Sequence, residues 1–305
     1  MKKIKTKVLV TGAAGFIGSK ICIKLFELGF NVIAVDNLSS GNIKNLPSKI
    51  KLYKLDLSII SNLKKIPKCQ LILHLAGQSS GEKSFDSPTK DIQKNTITTL
   101  NLINYGIKNS CKKLIYASSM SVYGNIKSNK FSETSPVAPI SCYGVSKLTS
   151  ENYLKVFSKK LPYIIFRMFN VYGAGQNMKD LRQGMVSIYL SQALSNNEVI
   201  VKGSLNRVRD FIHIDDVVNI WVISIFKNIK NEIFNLGTGK LTKVSELLNK
   251  IYKLTGKKKI KILKSTIGDQ INSVSNNSKI MKSFNYKKFI DLDEGLKKFY
   301  VKENK

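Results

Sequence analysis

The stretch Val8-Leu-Val-Thr11, followed at once by Gly12-Ala-Ala-Gly15-Phe-Ile-Gly18, constrains the fold of this chain more than anything else in its 305 residues. A short β-branched run leads into three glycines, and residues with helical spacing follow as far as Gly29. Strand, glycine turn and helix start in that order make a cradle for a dinucleotide diphosphate. Gly12 permits the tight turn, Gly15 lets the backbone approach the anion, and Gly18 lets helix and strand pack closely. The N–H groups and the dipole at the helix start then face the phosphates. Asp36 ends the second apolar run, 18 residues beyond Gly18. A carboxylate there accepts hydrogen bonds from the adenosine ribose and repels a 2′-phosphate, so these residues favour NAD over NADP. Asp56 and Leu57 end the next run and are placed to touch the adenine.

Apolar runs at 7–11, 31–36, 50–55, 70–75, 112–118 and 163–168 read as buried strands, and helical spacing covers 15–28, 86–108 and 142–159. Buried strands alternating with helices mean an α/β chain with a doubly wound parallel sheet, the Rossmann arrangement. From about 170 the pattern loosens. A helix near 180–195, short strands near 198–202 and 208–214, and helices near 215–228 and 243–254 predict a smaller mixed C-terminal lobe for the substrate. The reading is therefore an NAD-binding domain over 1–169, with later returns of the chain, and a substrate lobe mainly over 170–305. Beyond 255 the sequence is Lys-rich and weakly patterned, up to a helix near 293–303.

The formal charge of +30 invites a nucleic-acid reading. Its distribution argues against a specific one. Of 50 basic residues only four are Arg, at 167, 182, 207 and 209, and the lysines are spread along the whole chain as they would be on solvated faces. Where composition favours Lys so strongly, a retained Arg points to a planar bidentate donor that Lys cannot imitate, so 167–209 is expected to hold an anion site as well as structural ion pairs. Cys22, Cys69, Cys111 and Cys142 show no CxxC spacing, and with His only at 74 and 213 no metal site is expected. The cysteines read as free thiols of a cytoplasmic protein. No apolar run approaches a membrane span. His74 and His213 read as packed structural residues.

Tyr143-Gly-Val-Ser-Lys147 opens the helical segment at 142–159, and the i, i+4 spacing puts both side chains on one face. A free phenol titrates near pH 10, too high for a base at neutrality. A lysine ammonium one turn away, together with a positive nicotinamide ring, is expected to favour the phenolate and make it a usable acid/base. Ser118 and Ser119 end the preceding strand, at the sheet edge where ligands sit in such folds. Ser119 is thus placed to bond the substrate oxygen that Tyr143 deprotonates.

These segments, with Asp36-Asn-Leu-Ser-Ser-Gly41, His74-Leu-Ala-Gly77, Ala117-Ser-Ser-Met-Ser-Val-Tyr-Gly124, Arg167-Met-Phe-Asn-Val-Tyr-Gly173 and Arg209-Asp-Phe-Ile-His-Ile-Asp-Asp216, resemble the extended short-chain dehydrogenase/reductase family. Within it they are most similar to the nucleotide-sugar 4-epimerases. The resemblance covers roughly 6–280. It implies that Tyr143 takes the proton of a sugar 4-hydroxyl while NAD takes the hydride, that the 4-keto sugar turns over, and that hydride returns to the other face. It also implies that Ser119 bonds the 4-oxygen and Lys147 the nicotinamide ribose. By the same resemblance Phe16, Ile17, Asn37, Leu75, Ala76 and Asn95 join the cofactor site, and Asn170 and Arg209 bind the substrate diphosphate. Asp269 is matched to the nucleotide ribose and Gln183 to the base. Ser273 is matched to a gate residue whose small size leaves room for an N-acetyl group. A homodimer through the helices near 90–108 and 143–158, and a place in surface polysaccharide or glycolipid synthesis, are implied in the same way.

One departure stands out: the family's diphosphate arginine two residues before Gly268-Asp269 is replaced by Thr266, with Arg182 or Arg207 as possible substitutes. The dehydratases of the family carry a carboxylate just after the catalytic Ser or Thr. Met120-Ser121 stands there instead, so epimerisation of a UDP-hexose or UDP-N-acetylhexosamine is the leading reading. The alternatives left open are a dehydratase or keto-sugar reductase on this scaffold, inversion at C2, a non-catalytic NAD-binding regulator, and a polyanion binder.

Overall fold

β-Branched runs that are apolar on both faces can be buried only in a sheet covered by helices on either side. In the computed structural model, which describes residues 4–126 and 130–303, the first half of the chain builds that sheet. It runs β1 (Ile4–Thr11), α1 (Phe16–Glu27), β2 (Phe30–Asp36), β3 (Leu52–Lys54), β4 (Leu71–His74), α2 (Gly81–Ser84), α3 (Pro88–Ile92), a π-helical turn (Gln93–Ile97), α4 (Thr98–Lys108), β5 (Lys113–Ser119), α5 (Cys142–Val156) and β6 (Tyr163–Met168). The second half runs β7 (Asn170–Tyr172), α6 (Met185–Ser195), β8 (Glu198–Lys202), β9 (Val208–Arg209), β10 (Phe211–His213), α7 (Ile214–Phe226) and β11 (Glu232–Leu236). It ends with β12 (Thr242–Lys243), α8 (Val244–Thr255), β13 (Lys259–Leu263), β14 (Asn272–Ser273), α9 (Ser278–Phe284) and α10 (Leu292–Glu303).

Among the described residues the main sheet has seven strands in the order β11-β6-β5-β4-β1-β2-β3, all parallel. The winding reverses between β1 and β4, and the carboxyl ends of these strands part to open a crevice. The expected doubly wound α/β fold is present. Alternation along β5 shows how both faces are filled: Ile115 joins Ile21, Leu25, Trp221 and Phe234 on one side, while Leu114 and Tyr116 join Leu102, Ile103 and Leu154 on the other. Each such fully buried side chain contributes about 1.5–3 kcal/mol. A third core of Val186, Leu190, Val199, Val201, Leu248 and Phe299 holds the smaller lobe together.

The structure corrects several expectations. The helix expected at 215–228 was assigned to the smaller lobe, yet α7 packs on α1 in the main core, with Ile214, Val217, Ile220 and Trp221 buried there. After it, β11 returns to extend the sheet beyond β6. The single strand expected at 208–214 is two, broken at Asp210. That buried carboxylate accepts from Thr238, Gly239 and Ser275, and so turns the chain from one small sheet to another. The weakly patterned stretch after 255 supplies β13 beside β8 and β14 beside β9. The helix expected over 86–108 is interrupted by the π-helical turn. Among the described residues, no helix is long and apolar enough to cross a membrane.

Candidate active site

The loop after β1 is shaped by what it must pass. Gly12 has φ of +67°, and a Cβ there would lie 2.8 Å from the Ala76 nitrogen in the loop after β4. A Cβ on Gly18 would lie 2.1 Å from the Gly12 oxygen, so α1 starts hard against the loop. Gly15 precedes the helix without any side-chain cap, and the first turn of α1 holds no acidic residue, which leaves its N–H groups for an anion. The buried Asp36 carboxylate accepts from the backbone of Ala14 (3.0 Å) and Leu38 (2.7 Å), which fixes its position at the end of β2. Asn37 donates to Asp56 at 3.2 Å. Burial works to raise the Asp56 carboxyl, but hydrogen bonds from Ser58 and Asn37 outweigh it and hold it below the usual carboxylate range. The Leu57 side chain turns into the second core, which leaves its backbone as the part that can face the adenine. Leu75 and Ala76 both donate their N–H to Thr11 Oγ1, closing the crevice floor.

Three buried groups meet beyond that floor. Tyr143 and Lys147 rise from the start of α5, and Ser119 ends β5. Lys147 Nζ donates to the Ala117 carbonyl at 2.9 Å and stands 5.6 Å from the Tyr143 ring centroid. Burial lowers its ammonium to about 8, with Asp91 and Glu151 opposing. Burial also pushes the Tyr143 phenol up to about 12, although a hydrogen bond with Ser119 pulls it back. The expected lowering by Lys147 is not seen in the protein alone, where desolvation of the phenolate is the largest effect and Ser119 supplies the opposing hydrogen bond.

Asn95 lies in the π-helical turn, with its Oδ1 buried and without a hydrogen-bond partner. Gly77 faces it: a Cβ there would lie 2.3 Å from that Oδ1 and 3.6 Å from Lys147 Nζ. An unfilled buried acceptor beside a cradle that a methyl group would block fits the nicotinamide end of NAD, as the capless α1 start and Asp36 fit the other end. His74 is fully buried between Thr11 and Thr99, and burial lowers it to about 3.

Tyr143 and Ser119 open onto a cavity of about 590 Å³, which Phe16 and Ile17 line on the cofactor side. That volume suits a ligand larger than a free sugar. Asn170, Gln183, Arg182, Arg207, Arg209, Thr266 and Asp269 line its far part. Asn170 donates to the Asp210 carbonyl and Gln183 to Ser79 Oγ. Arg207 and Arg209 share the two oxygens of Asp269. Asp269, expected at a ribose, therefore first holds two guanidiniums at the cavity wall. Arg167 is no part of this anion site: it is buried in a bidentate pair with Glu151. Ser273, expected at a gate, is fully buried in β14, paired with β9, and is not among the residues that line this cavity.

Sequence reasoning missed Asp91, Gln78 and the rim of ion pairs joining the two lobes. Lys83 pairs with Asp180, Lys202 with Glu82, and Arg182 with Asp86. Only Asp91 left a signal, its i, i+4 spacing from Asn95. Among the described residues no cluster of His, Cys, Asp and Glu could hold a metal ion.

Comparison with known proteins gives a consistent picture. The model of the NAD dependent epimerase/dehydratase family matches residues 8–237. A putative UDP-glucose 4-epimerase of Methanocaldococcus jannaschii is 34% identical over 95% of this chain and 96% of its own. The crystal structure of a UDP-glucose 4-epimerase with UDP-glucose from Thermotoga maritima superposes with a TM-score of 0.92 at 34% identity, covering 98% of each chain. A UDP-N-acetylglucosamine 4-epimerase of Methanobrevibacter ruminantium, solved with UDP-N-acetylmuramic acid, does so at 0.92 and 28%, again over 98% of each.

Proposed function

Because this chain belongs to the NAD-dependent epimerase/dehydratase family, we propose that it inverts C4 of a UDP-linked hexose or N-acetylhexosamine through a 4-keto sugar. The observation that carries this reading is the opening of Tyr143 and Ser119, backed by Lys147, onto a cavity whose far wall is basic. Bound in the crevice, NAD supplies the acceptor and donor of hydride that oxidation and re-reduction at one carbon require. Tyr143 takes the proton from the 4-hydroxyl and returns it, and Ser119 holds the same oxygen so that proton and carbon stay aligned. The Lys147 ammonium steadies the phenolate electrostatically in a site where water is scarce. Arg207, Arg209 and Asn170 bind the diphosphate, which leaves the sugar as the mobile end.

The cavity wall also speaks against elimination. Its carboxylates, Glu82 and Asp269, are both held in ion pairs, and Met120 and Ser121 follow Ser119. We take the protein to be a cytoplasmic homodimer that pairs through the helical stretch of the π-helical turn and α4, and through α5, where Ile97 of the turn and Val145, Tyr153 and Val156 of α5 are exposed. The test is to incubate purified protein with UDP-glucose, UDP-galactose and their N-acetyl forms and to follow the anomeric signals by NMR. Interconversion without added NAD is expected. A stable keto product would replace epimerisation by dehydration, and no turnover of any of them would overturn the enzyme reading.

A further inference from the structure

Asp91 is 1% exposed, at the end of α3 where the chain loosens into the π-helical turn. A buried carboxylate must find hydrogen bonds or a counter-charge. Its Oδ1 accepts from Gln78 Nε2 at 3.0 Å and Asn95 Nδ2 at 3.2 Å, and its Oδ2 from Ser146 Oγ at 2.6 Å. All three donors are neutral, so its charge is solvated but not cancelled.

Lys147, the residue after Ser146, has the converse problem. It is 4% exposed and donates to one carbonyl, Ala117. The other charges packed around it are accounted for. Glu151, on the same helix, is bound by Arg167 of β6 and by Ser118 of β5. His74 of β4 is held neutral, and burial raises the phenol of Tyr116 on β5 so that it keeps its proton. Two unbalanced charges remain, one on each side of Asn95.

Taking the epimerase reading as its basis, we propose that Asp91 is the positioning residue of the Tyr143/Lys147 pair, the buried counter-charge that keeps Lys147 an ammonium. It also orients Asn95. A carboxylate can only accept, so it draws the Asn95 amide nitrogen and turns Oδ1 toward Gly77 and Lys147.

Asp91→Asn tests this without changing shape. Ser146 Oγ already lies 3.0 Å from the Tyr143 carbonyl, so its hydroxyl can donate there and accept from the new amide. Removing the negative charge lowers the titration of both Lys147 and Tyr143. Both limbs of the kcat/KM–pH profile should therefore move to lower pH together, by roughly one unit, and Asp91→Glu should return them. Activity reduced equally at every pH, with the limbs in place, would reduce Asp91 to a structural role and overturn the proposal. The phenolate absorbance of Tyr143, taken as the difference from Tyr143→Phe with NAD bound, reads the same shift without turnover. It therefore separates failure of this proposal from failure of the epimerase reading. If Asp91→Asn does not fold, Ser146→Ala and Gln78→Ala each delete one hydrogen bond and keep the charge. Limbs that stay put in both support the proposal, and limbs that move overturn it.

Discussion

Replacing Arg207 by Gln removes one of the two guanidiniums that share Asp269 at the cavity wall. With both in place the cluster carries one net positive charge, and without Arg207 it is neutral, because Asp269 keeps Arg209 at 2.7 Å. Arg209 is the poorer probe. Its guanidinium also donates to the carbonyls of Val208, Gln270 and Ile271, so losing it would disturb the backbone around β9 and β14 as well as the anion site. Arg207 reaches one carbonyl, that of Ser204, at 3.0 Å. A hydrogen bond to a charged group is worth about 1.5–3 kcal/mol, and 1.4 kcal/mol is about tenfold in affinity. The Kd for UDP should therefore rise roughly ten- to a hundredfold, with uridine affinity unchanged because uridine carries no phosphate. Calorimetric titration of UDP and uridine at low and moderate salt reads both quantities. Adding Thr266→Arg to the variant places a second guanidinium on the same wall and should recover part of the loss. Equal affinity of variant and wild type for UDP, or an equal loss for uridine, would show that Arg207 only braces Asp269.

The remaining expectations concern the catalytic end. Burial lowers the Lys147 ammonium to about 8 and holds the Tyr143 phenol higher, so kcat/KM should rise with pH up to that region and level off above it, where each gain in phenolate is matched by a loss of ammonium; a profile that keeps rising above it would remove Lys147 from the mechanism. Tyr143→Phe should lose about 10²–10⁴-fold in turnover while retaining NAD, as read by absorbance of the purified protein. Gly77→Ala puts a methyl against Asn95 Oδ1 at a φ of +151°, so purified variant should carry much less NAD at unchanged fold by circular dichroism. Glu151→Gln leaves Arg167 charged and buried without its partner, and should cost about 3–5 kcal/mol in urea unfolding.

The sheet was legible because its signal is local. Residues 7–11, 112–118 and 163–168 are apolar on both faces, and only a covered parallel strand uses such runs. β11 escaped for the opposite reason. Its Glu-Ile-Phe-Asn-Leu is neither a continuous apolar run nor an alternating one, and its place beside β6 is set by the return of α7 across the sheet rather than by its own residues. The π-helical turn was equally hidden, since one extra residue per turn in a helical stretch changes the register without changing composition.

The site divides along the same line. Gly12, Gly18, Asp36 and the Tyr143–Lys147 spacing do their work within one loop or one helical turn, so order in the sequence carries them. The Arg argument went half way. Scarcity of Arg correctly marks places where a fork of donors is needed, but it cannot tell a fork that faces ligand from one that faces Glu151, because both demand the same geometry. Ser273 was reached only by counting from Asp269, and such a count says nothing of β14, which sets that residue in a small sheet beside Arg209. Asp91 shows where counting stops. Its i, i+4 spacing from Asn95 is visible in the sequence, but its other hydrogen-bond partners come from residues 78 and 146, and what singles it out is that, among the described residues, the other carboxylate acting on Lys147, Glu151, is already paired. That is a property of packing, because it depends on Arg167 having already taken Glu151.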